Sequence, residues 1–282
     1  MKKFLCVMLL GTCLFTACSA QVTQLDQQES NQQTSTEETG GDKETEEMLN
    51  AEYEAYKNRL LTTSDYMPQL EDVVSGDIVA VLTTSMGEIK LKLCPEEAPK
   101  AVENFIGLAN EGLYDGVIFH RVIQEFMIQS GDPEGTGMGG KSMWGESFED
   151  EFSPYMYHFT GALAMANHGP DTNGSQFYIV QKEETTVGFF DLTKQIIAEH
   201  GADKLLYNNT LGKIIRTNYD EAVIEKYTEL GGVPDLDYGY TIFGQVIEGM
   251  DVVRNISTVQ TGERDKPIED VVIERVEIIT VE

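Results

Sequence analysis

Positive charge is scarce in this chain. Its 282 residues hold 20 Lys and Arg against 48 Asp and Glu, a formal net charge of −28. That excess repels phosphate backbones, which excludes nucleic acid as a partner, and it opposes flat adsorption to an anionic membrane. Cysteine is also scarce, with four residues at positions 6, 13, 18 and 94. Three of them fall in the first 18 residues, so Cys94 stands alone beyond that point and no intramolecular disulfide can form there. Cys94 alternates with Leu91 and Leu93 and has no neighbouring His, which reads as core and not as a nucleophile. The four His (120, 158, 168 and 200) are scattered without ligand spacing, so no metal site is expected. There is no internal repeat and no βαβ rhythm.

The first apolar run is too short to span a bilayer as a helix. Lys2 and Lys3 precede a mostly apolar stretch from Phe4 to Phe15, followed by "LFTAC". This is the pattern of a secretion signal. Its end resembles the lipobox of bacterial lipoproteins, with small Ala17 before Cys18 and Phe15 where Leu is more usual. The resemblance implies a signal peptide over 1–17, cleavage before Cys18, a lipid on that sulfur, and a chain held outside the cytoplasmic membrane, preferably on a Gram-positive surface. Without the leader the chain keeps 18 basic and 48 acidic residues, a charge of −30. Residues 18–45 hold almost no large apolar side chains and read as a disordered acidic tether. A helical lead-in follows over 46–76, with a helix near 43–63 that puts Met48, Leu49, Tyr53, Tyr56 and Leu60 roughly on one side.

From residue 77 the pattern becomes β. "DIVAVLTTSMGEIKLKLC" reads as two strands around a Met86–Gly87 turn. "CPEEAPKAVENFIGLANEG" reads as an amphipathic helix with Pro95 near its start, acids in its first turn and Gly112 as its stop. "VIFHRVI", "FMIQSG", "GALAMAN", "SQFYIV" and "YTIFGQVI" read as short strands, "EGMDVVRNIST" as a second helix, and "IEDVVIERVEIITVE" as a last strand. Residues 184–234 break this rhythm and read as a helical insertion, with Val223, Tyr227 and Leu230 at helical spacing before Gly231–Gly232.

One stretch poses a chemical question. "GTGMGGKS" fits the phosphate-loop pattern, with Gly135, Gly140, Lys141 and Ser142 in place. A working phosphate loop needs a helix after it, so that the helix N-terminus and the loop amides hold the phosphate. Here "MWGESFEDEFSP" follows, punctuated by Gly145 and Pro154 and carrying Glu146, Glu149, Asp150 and Glu151. It has no apolar helical stripe, and its carboxylates repel phosphate. The reading is no nucleotide.

Taken with its neighbours, the stretch belongs to two longer segments, "FHRVIQEFMIQSGDPEGTGMGGKSMWGESFEDEF" and "GALAMANHGPDTNGSQFYIV". Together these resemble the cyclophilins, peptidyl-prolyl cis–trans isomerases, over residues 77–282 apart from the insertion. The resemblance implies a mainly β fold: a closed antiparallel eight-stranded barrel capped by two helices, here with a helical insertion at about 184–234. It makes the Gly-rich, Lys-containing loop a surface turn beside the active site. It matches Arg121 to the family's catalytic arginine, Phe126 to the proline pocket's floor and wall together with Met127, and Gln129 to the polar anchor beside the arginine. Ala166, Asn167 and Gln176 match positions that hold the substrate backbone, and Tyr178 stands where Phe is commoner. In "LDYGYTIFGQV", Leu236 matches the pocket and Tyr240 its rim. Asp235 occupies the place of a Trp found in many eukaryotic members, which bears on cyclosporin binding and not on catalysis. His120 reads as a structural, hydrogen-bonded His.

No cofactor is implied, because X–Pro rotation breaks no bond. The substrates implied are proline-containing polypeptides, and a monomer is expected. Two functions from different classes fit. One is an isomerase that helps exported chains fold, since proline isomerisation takes tens of seconds or more. The other is a non-catalytic module, chaperone or adhesin, that grips proline-containing segments at the cell surface. The intact Arg121, Phe126, Met127 and Gln129 set favours the first.

Overall fold

The computed structural model describes residues 22–24, 54–202, 206–208 and 213–282. The leader, Cys18, most of the tether and the start of the lead-in lie outside these residues. In chain order the elements are β1 (Val22–Gln24), a helix over 54–61 (α1), β2 (Ile78–Thr84), β3 (Gly87–Leu93), α2 (Pro99–Asn110), β4 (Arg121–Ile123), β5 (Phe126–Ser130), β6 (Ala162–Met165) and β7 (Phe177–Gln181). Then come α3 (Phe189–His200), β8 (Leu206–Asn208), β9 (Lys213–Ile215), α4 (Glu221–Leu230), β10 (Ile242–Glu248), α5 (Met250–Ser257) and β11 (Ile273–Thr280).

Eight strands form one antiparallel sheet in the order β11-β2-β3-β10-β6-β7-β5-β4. The expected closed barrel is not what they make. The sheet curls into an open half-barrel whose edge strands, β4 and β11, do not pair as strands. One isolated bridge, Ile118–Val272, crosses the seam. The physical reason is length: β4 has three residues, and only the irregular chain before it reaches the chain at the start of β11, through hydrogen bonds from Gly116 N to Ile273 O, Ile273 N to Val117 O and Phe119 N to Val271 O. The hairpin of β2 and β3 turns at Ser85–Met86, one residue earlier than read from the sequence, with Gly87 already paired to Thr84 at the start of β3.

The helix after β3 starts later than the sequence suggested. Residues before proline are pushed out of the helical region, and Ala98 sits at φ −143°, ψ 69°. Pro99 then takes the first helical position, where a missing N–H costs nothing. Glu96 and Glu97 are therefore left in the turn ahead of α2, and its first turn holds no acid.

Strand alternation sorts the side chains into two cores. Leu82, Ile89, Leu91, Ile128, Leu163, Phe177, Ile179 and Phe243 fill the concave side, with Val102, Phe105 and Leu108 of α2 and Val253 and Ile256 of α5. Phe105 meets the ring of Phe177 edge-on at 5.5 Å. The alternate residues face outward: Met127, Ala162, Ala164, Tyr178, Val180 and Ile242 build a second cluster, with Phe126, Ala166, Leu236 and Tyr240 packed against it.

The inserted segment carries its own small core. Val223 and Tyr227 of α4 pack on Tyr157 and Phe159, with Phe190, Tyr219 and Leu230 around them. It also contains strand structure that helical spacing did not reveal: β8 pairs with β9 and with β1, the latter in the stretch read as tether. The lead-in is tied down. Buried Gln69 donates to Tyr157 O at 2.9 Å and Gln245 Oε1 at 2.8 Å and accepts from Tyr157 N at 2.7 Å. The Tyr238 hydroxyl donates to Leu60 O at 2.7 Å.

Candidate active site

Cross-strand register brings the outward side chains into one row. Arg121 stands opposite Gln129 on β4–β5, Gln129 opposite Tyr178 on β5–β7, and Tyr178 opposite Ala164 on β6–β7. Above this row lies a groove of about 650 Å³. Arg121, Phe126, Met127, Gln129, Ala166, Asn167, Tyr178, Leu236 and Tyr240 all line it. Gln176 does not line it. It stands behind Gln129, accepting the Gln129 Nε2–H at 2.9 Å and donating from its own Nε2 to Gly139 O at 2.8 Å. The residue thus fixes the amide of Gln129 and ties the Gly-rich loop to the sheet.

The walls are apolar and the ends are polar. Tyr240 meets Tyr178 edge-on at 5.7 Å. Asn167 donates to Asp150 Oδ1 at 3.1 Å and Asn173 Oδ1 at 3.3 Å, which holds its side chain back from the groove centre. Arg121 is 43 % exposed, with Nε 3.6 Å from Asp265 Oδ2. His120, beside it, is buried; neither ring nitrogen meets a partner in hydrogen-bond geometry, although the Gln176 side chain lies near enough to favour its charged form. Burial holds its pKa below the usual value, although Asp132 pulls the other way.

The Gly-rich loop answers the question its sequence posed. Asp132 is fully buried at the loop's start. Its Oδ2 accepts the N–H groups of Thr136 (2.9 Å), Gly137 (2.7 Å) and Gly139 (3.3 Å) and the Thr136 hydroxyl (2.9 Å), and its Oδ1 accepts the Glu134 N–H (2.9 Å). The amides that would cradle a phosphate are spent on the chain's own carboxylate. The glycines serve close approach: a Cβ on Gly140, at φ +93°, would lie 2.3 Å from Ser175 Oγ. Lys141 is exposed and does not line the groove.

Thr136, Gly137 and Met138 line the groove as part of the Gly-rich loop expected beside it, whereas other lining residues escaped the sequence reading: His120, His168 and the turn Glu263–Lys266. The last enters because the chain after α5 folds back against β4. Arg264 and Asp265 hold consecutive left-handed conformations there, at φ 58° and 60°. Among the described residues, no group of three or more His, Cys, Asp or Glu is placed to hold a metal, and no helix is long and apolar enough to cross a membrane.

The site is thus a half-barrel's outer groove, largely apolar, with an arginine at its edge. The model of the family "Cyclophilin type peptidyl-prolyl cis-trans isomerase/CLD" matches residues 78–278. Over 213 residues the chain is 43 % identical to a Staphylococcus saprophyticus protein named "Putative peptidyl-prolyl cis-trans isomerase", covering 75 % of this chain and 98 % of that one. A Staphylococcus aureus (strain USA300) protein of the same name is 43 % identical over 212 residues, covering 75 % and 97 %. Among solved structures, a Cryptosporidium parvum cyclophilin type peptidyl-prolyl cis-trans isomerase is similar with a TM-score of 0.54 at 28 % identity, covering 73 % of this chain and 99 % of that one. A structure of the same enzyme in the presence of the dipeptide Ala-Pro gives 0.53 at 29 % identity, covering 71 % and 98 %. The chain belongs to the cyclophilin-type peptidyl-prolyl cis–trans isomerase family and is an enzyme of that type.

Proposed function

We propose that the groove takes proline-containing segments of exported polypeptides and speeds their X–Pro rotation, with Arg121 as the charged group and Phe126, Met127, Tyr178, Leu236 and Tyr240 as the grip on the ring. Amide resonance sets a barrier of roughly 18–20 kcal/mol. A catalyst must fit the twisted amide better than either planar form. As the bond twists, resonance is lost and the prolyl nitrogen gains a lone pair. A guanidinium offers five N–H donors in a fixed fork and keeps its charge, so one can meet that nitrogen while others hold the carbonyl side. Ala166, Asn167 and Gln129 hold the flanking backbone, and Gln176 keeps Gln129 in place.

The observation that carries this is the placement of Arg121 at the rim of an apolar groove of about 650 Å³ on the sheet's outer face. The Ala-Pro dipeptide studied with the similar Cryptosporidium enzyme supports proline as the group bound. A short X–Pro peptide should shift the NMR signals of groove residues on titration, while the same peptide with Ala for Pro should not. Equal binding of the two peptides would contradict a proline pocket.

The site of action belongs to the same proposal. The leader and the lipobox-like end at Cys18 support a chain tethered by lipid outside the cytoplasmic membrane. Mass spectrometry of the full chain expressed in a bacterium should find a diacylglyceryl mass on an N-terminal Cys18, absent from Cys18→Ser. An unmodified Cys18 in mature protein would contradict the anchor.

A further inference from the structure

Behind the groove wall runs a buried chain of hydrogen bonds that ends in the inserted segment. Tyr178 forms part of the wall, and its hydroxyl lies 2.8 Å from His158 Nε2. His158 Nδ1 lies 2.8 Å from Asp237 Oδ1, which also accepts the His158 backbone N–H at 2.9 Å. The other carboxylate oxygen accepts the Tyr227 hydroxyl at 2.8 Å and, at 3.1 Å, shares the Tyr219 hydroxyl with Pro234 O at 3.0 Å, both tyrosines belonging to the insertion. The side chains of His158 and Asp237 are completely buried.

The donor bookkeeping runs one way through this chain. Asp237 accepts a hydrogen bond from Nδ1–H, so in the neutral ring Nε2 is left as an acceptor. The Tyr178 hydroxyl therefore donates inward, away from substrate, and presents the groove with an aromatic face only. The arrangement has the order of a nucleophile relay, but its terminal hydroxyl is spent inside the protein. What it can do is hold a ring. Asp237 also follows Leu236, which lines the groove.

Resting on the reading of the groove as the proline site, we propose that Tyr219 and Tyr227 of the insertion are positioning residues for that site, acting through Asp237 and His158 on the ring of Tyr178. The insertion thereby sets how tightly the pocket closes on a proline ring. Without the two hydroxyls, the buried Asp237 carboxyl loses the donors that face Oδ2, and it must shift or admit water. His158 follows its carboxylate, and Tyr178 follows His158.

The test is a cycle of conservative variants in which ring packing is kept and only hydroxyls are removed. Wild type, Tyr219→Phe/Tyr227→Phe, Tyr178→Phe and the triple variant would be compared by NMR exchange of an X–Pro peptide over a range of concentrations, with folding checked by thermal unfolding. The double variant should raise KM by about fivefold with kcat within about twofold of wild type, and in the Tyr178→Phe background the same two changes should add less than about twofold. A structural role alone moves stability and gives equal, additive effects in both backgrounds, which would overturn the proposal. A second measurement needs no variant to fold. The Tyr178 hydroxyl proton of wild type should give a resolved, slowly exchanging signal, and fast exchange with water would overturn the latch. An inactive wild type would overturn the isomerase reading of the groove and this proposal with it, whereas an active wild type with additive effects overturns this proposal alone.

Discussion

Replacing Asp132 with Asn should loosen the loop that flanks the groove. The carboxylate collects five hydrogen bonds from Glu134, Thr136, Gly137 and Gly139, four of them on Oδ2. An amide in its better orientation keeps oxygen on the crowded side and sets NH₂ against the Glu134 N–H. That leaves one buried donor unpaired, at about 1–3 kcal/mol, and removes the charge from the other four bonds. Burial alone would raise the carboxyl's pKa, but the bonds from Glu134, Thr136 and Gly139 outweigh it and bring the value down from 3.8 to about 2. A depression of that size corresponds to about 2 kcal/mol of folding free energy. Because the folded pKa is the lower one, this stability is fully present above pH 4 or so and drains away as pH falls towards 2. Urea unfolding of a soluble form beginning after Cys18 should show Asp132→Asn about 3 kcal/mol less stable at pH 7. The wild-type and variant stabilities should converge as pH falls from about 4 to about 2. A variant within about 0.5 kcal/mol of wild type at pH 7, or two curves that fall in parallel with acid, would refute this account of the loop.

Three further outcomes follow from the same structure. Burial pushes the Cys94 thiol up to about 12, so the folded soluble form should resist a thiol reagent at pH 8 and react fully in urea; rapid reaction of the native protein would contradict its burial. Arg216 is 2 % exposed, with its guanidinium 4.3 Å from the ring centre of Tyr157 and 4.7 Å from that of Tyr238. Arg216→Ala should lower the unfolding free energy by about 3 kcal/mol, and Arg216→Lys should restore less than half, because an ammonium cannot stack between rings. Asp265→Asn removes the half-exposed carboxylate beside Arg121 and should lower kcat/KM by about twofold to fivefold, the range expected of a solvent-screened pair; no change would show that the contact does not orient the guanidinium.

The order and type of the strands were legible because period-two alternation reports which face a residue takes. The same signal says nothing about closure, which depends on whether β4 and β11 meet. They fail to pair because β4 has three residues and the chain before it is irregular. The residues lining the groove were legible where they sit in long ordered segments, as Phe126, Met127 and Gln129 do. Gln176 shares such a segment, yet its side chain turns to Gln129, a choice made by a cross-strand neighbour and not by its own flanks. The turn at Glu263–Lys266 carried no signal at all, since only the fold-back after α5 brings Asp265 to Arg121. The insertion's helices announced themselves by spacing, but β8 and β9 are three residues each, too short for a periodic pattern. Its link to the groove wall passes through His158 and Asp237, residues 79 positions apart in sequence.

The central claim is that Arg121 stabilises the twisted X–Pro bond in this groove. The most direct measurement is NMR exchange between the cis and trans forms of a short X–Pro peptide, with catalytic amounts of the soluble form and of Arg121→Ala. The account predicts that wild type accelerates exchange and that the variant, still folded, loses about 100-fold or more of kcat/KM, as expected when one donor to a developing charge is removed. Equal acceleration by both proteins would contradict the role given to Arg121, and peptide binding by wild type without acceleration would favour the non-catalytic module instead.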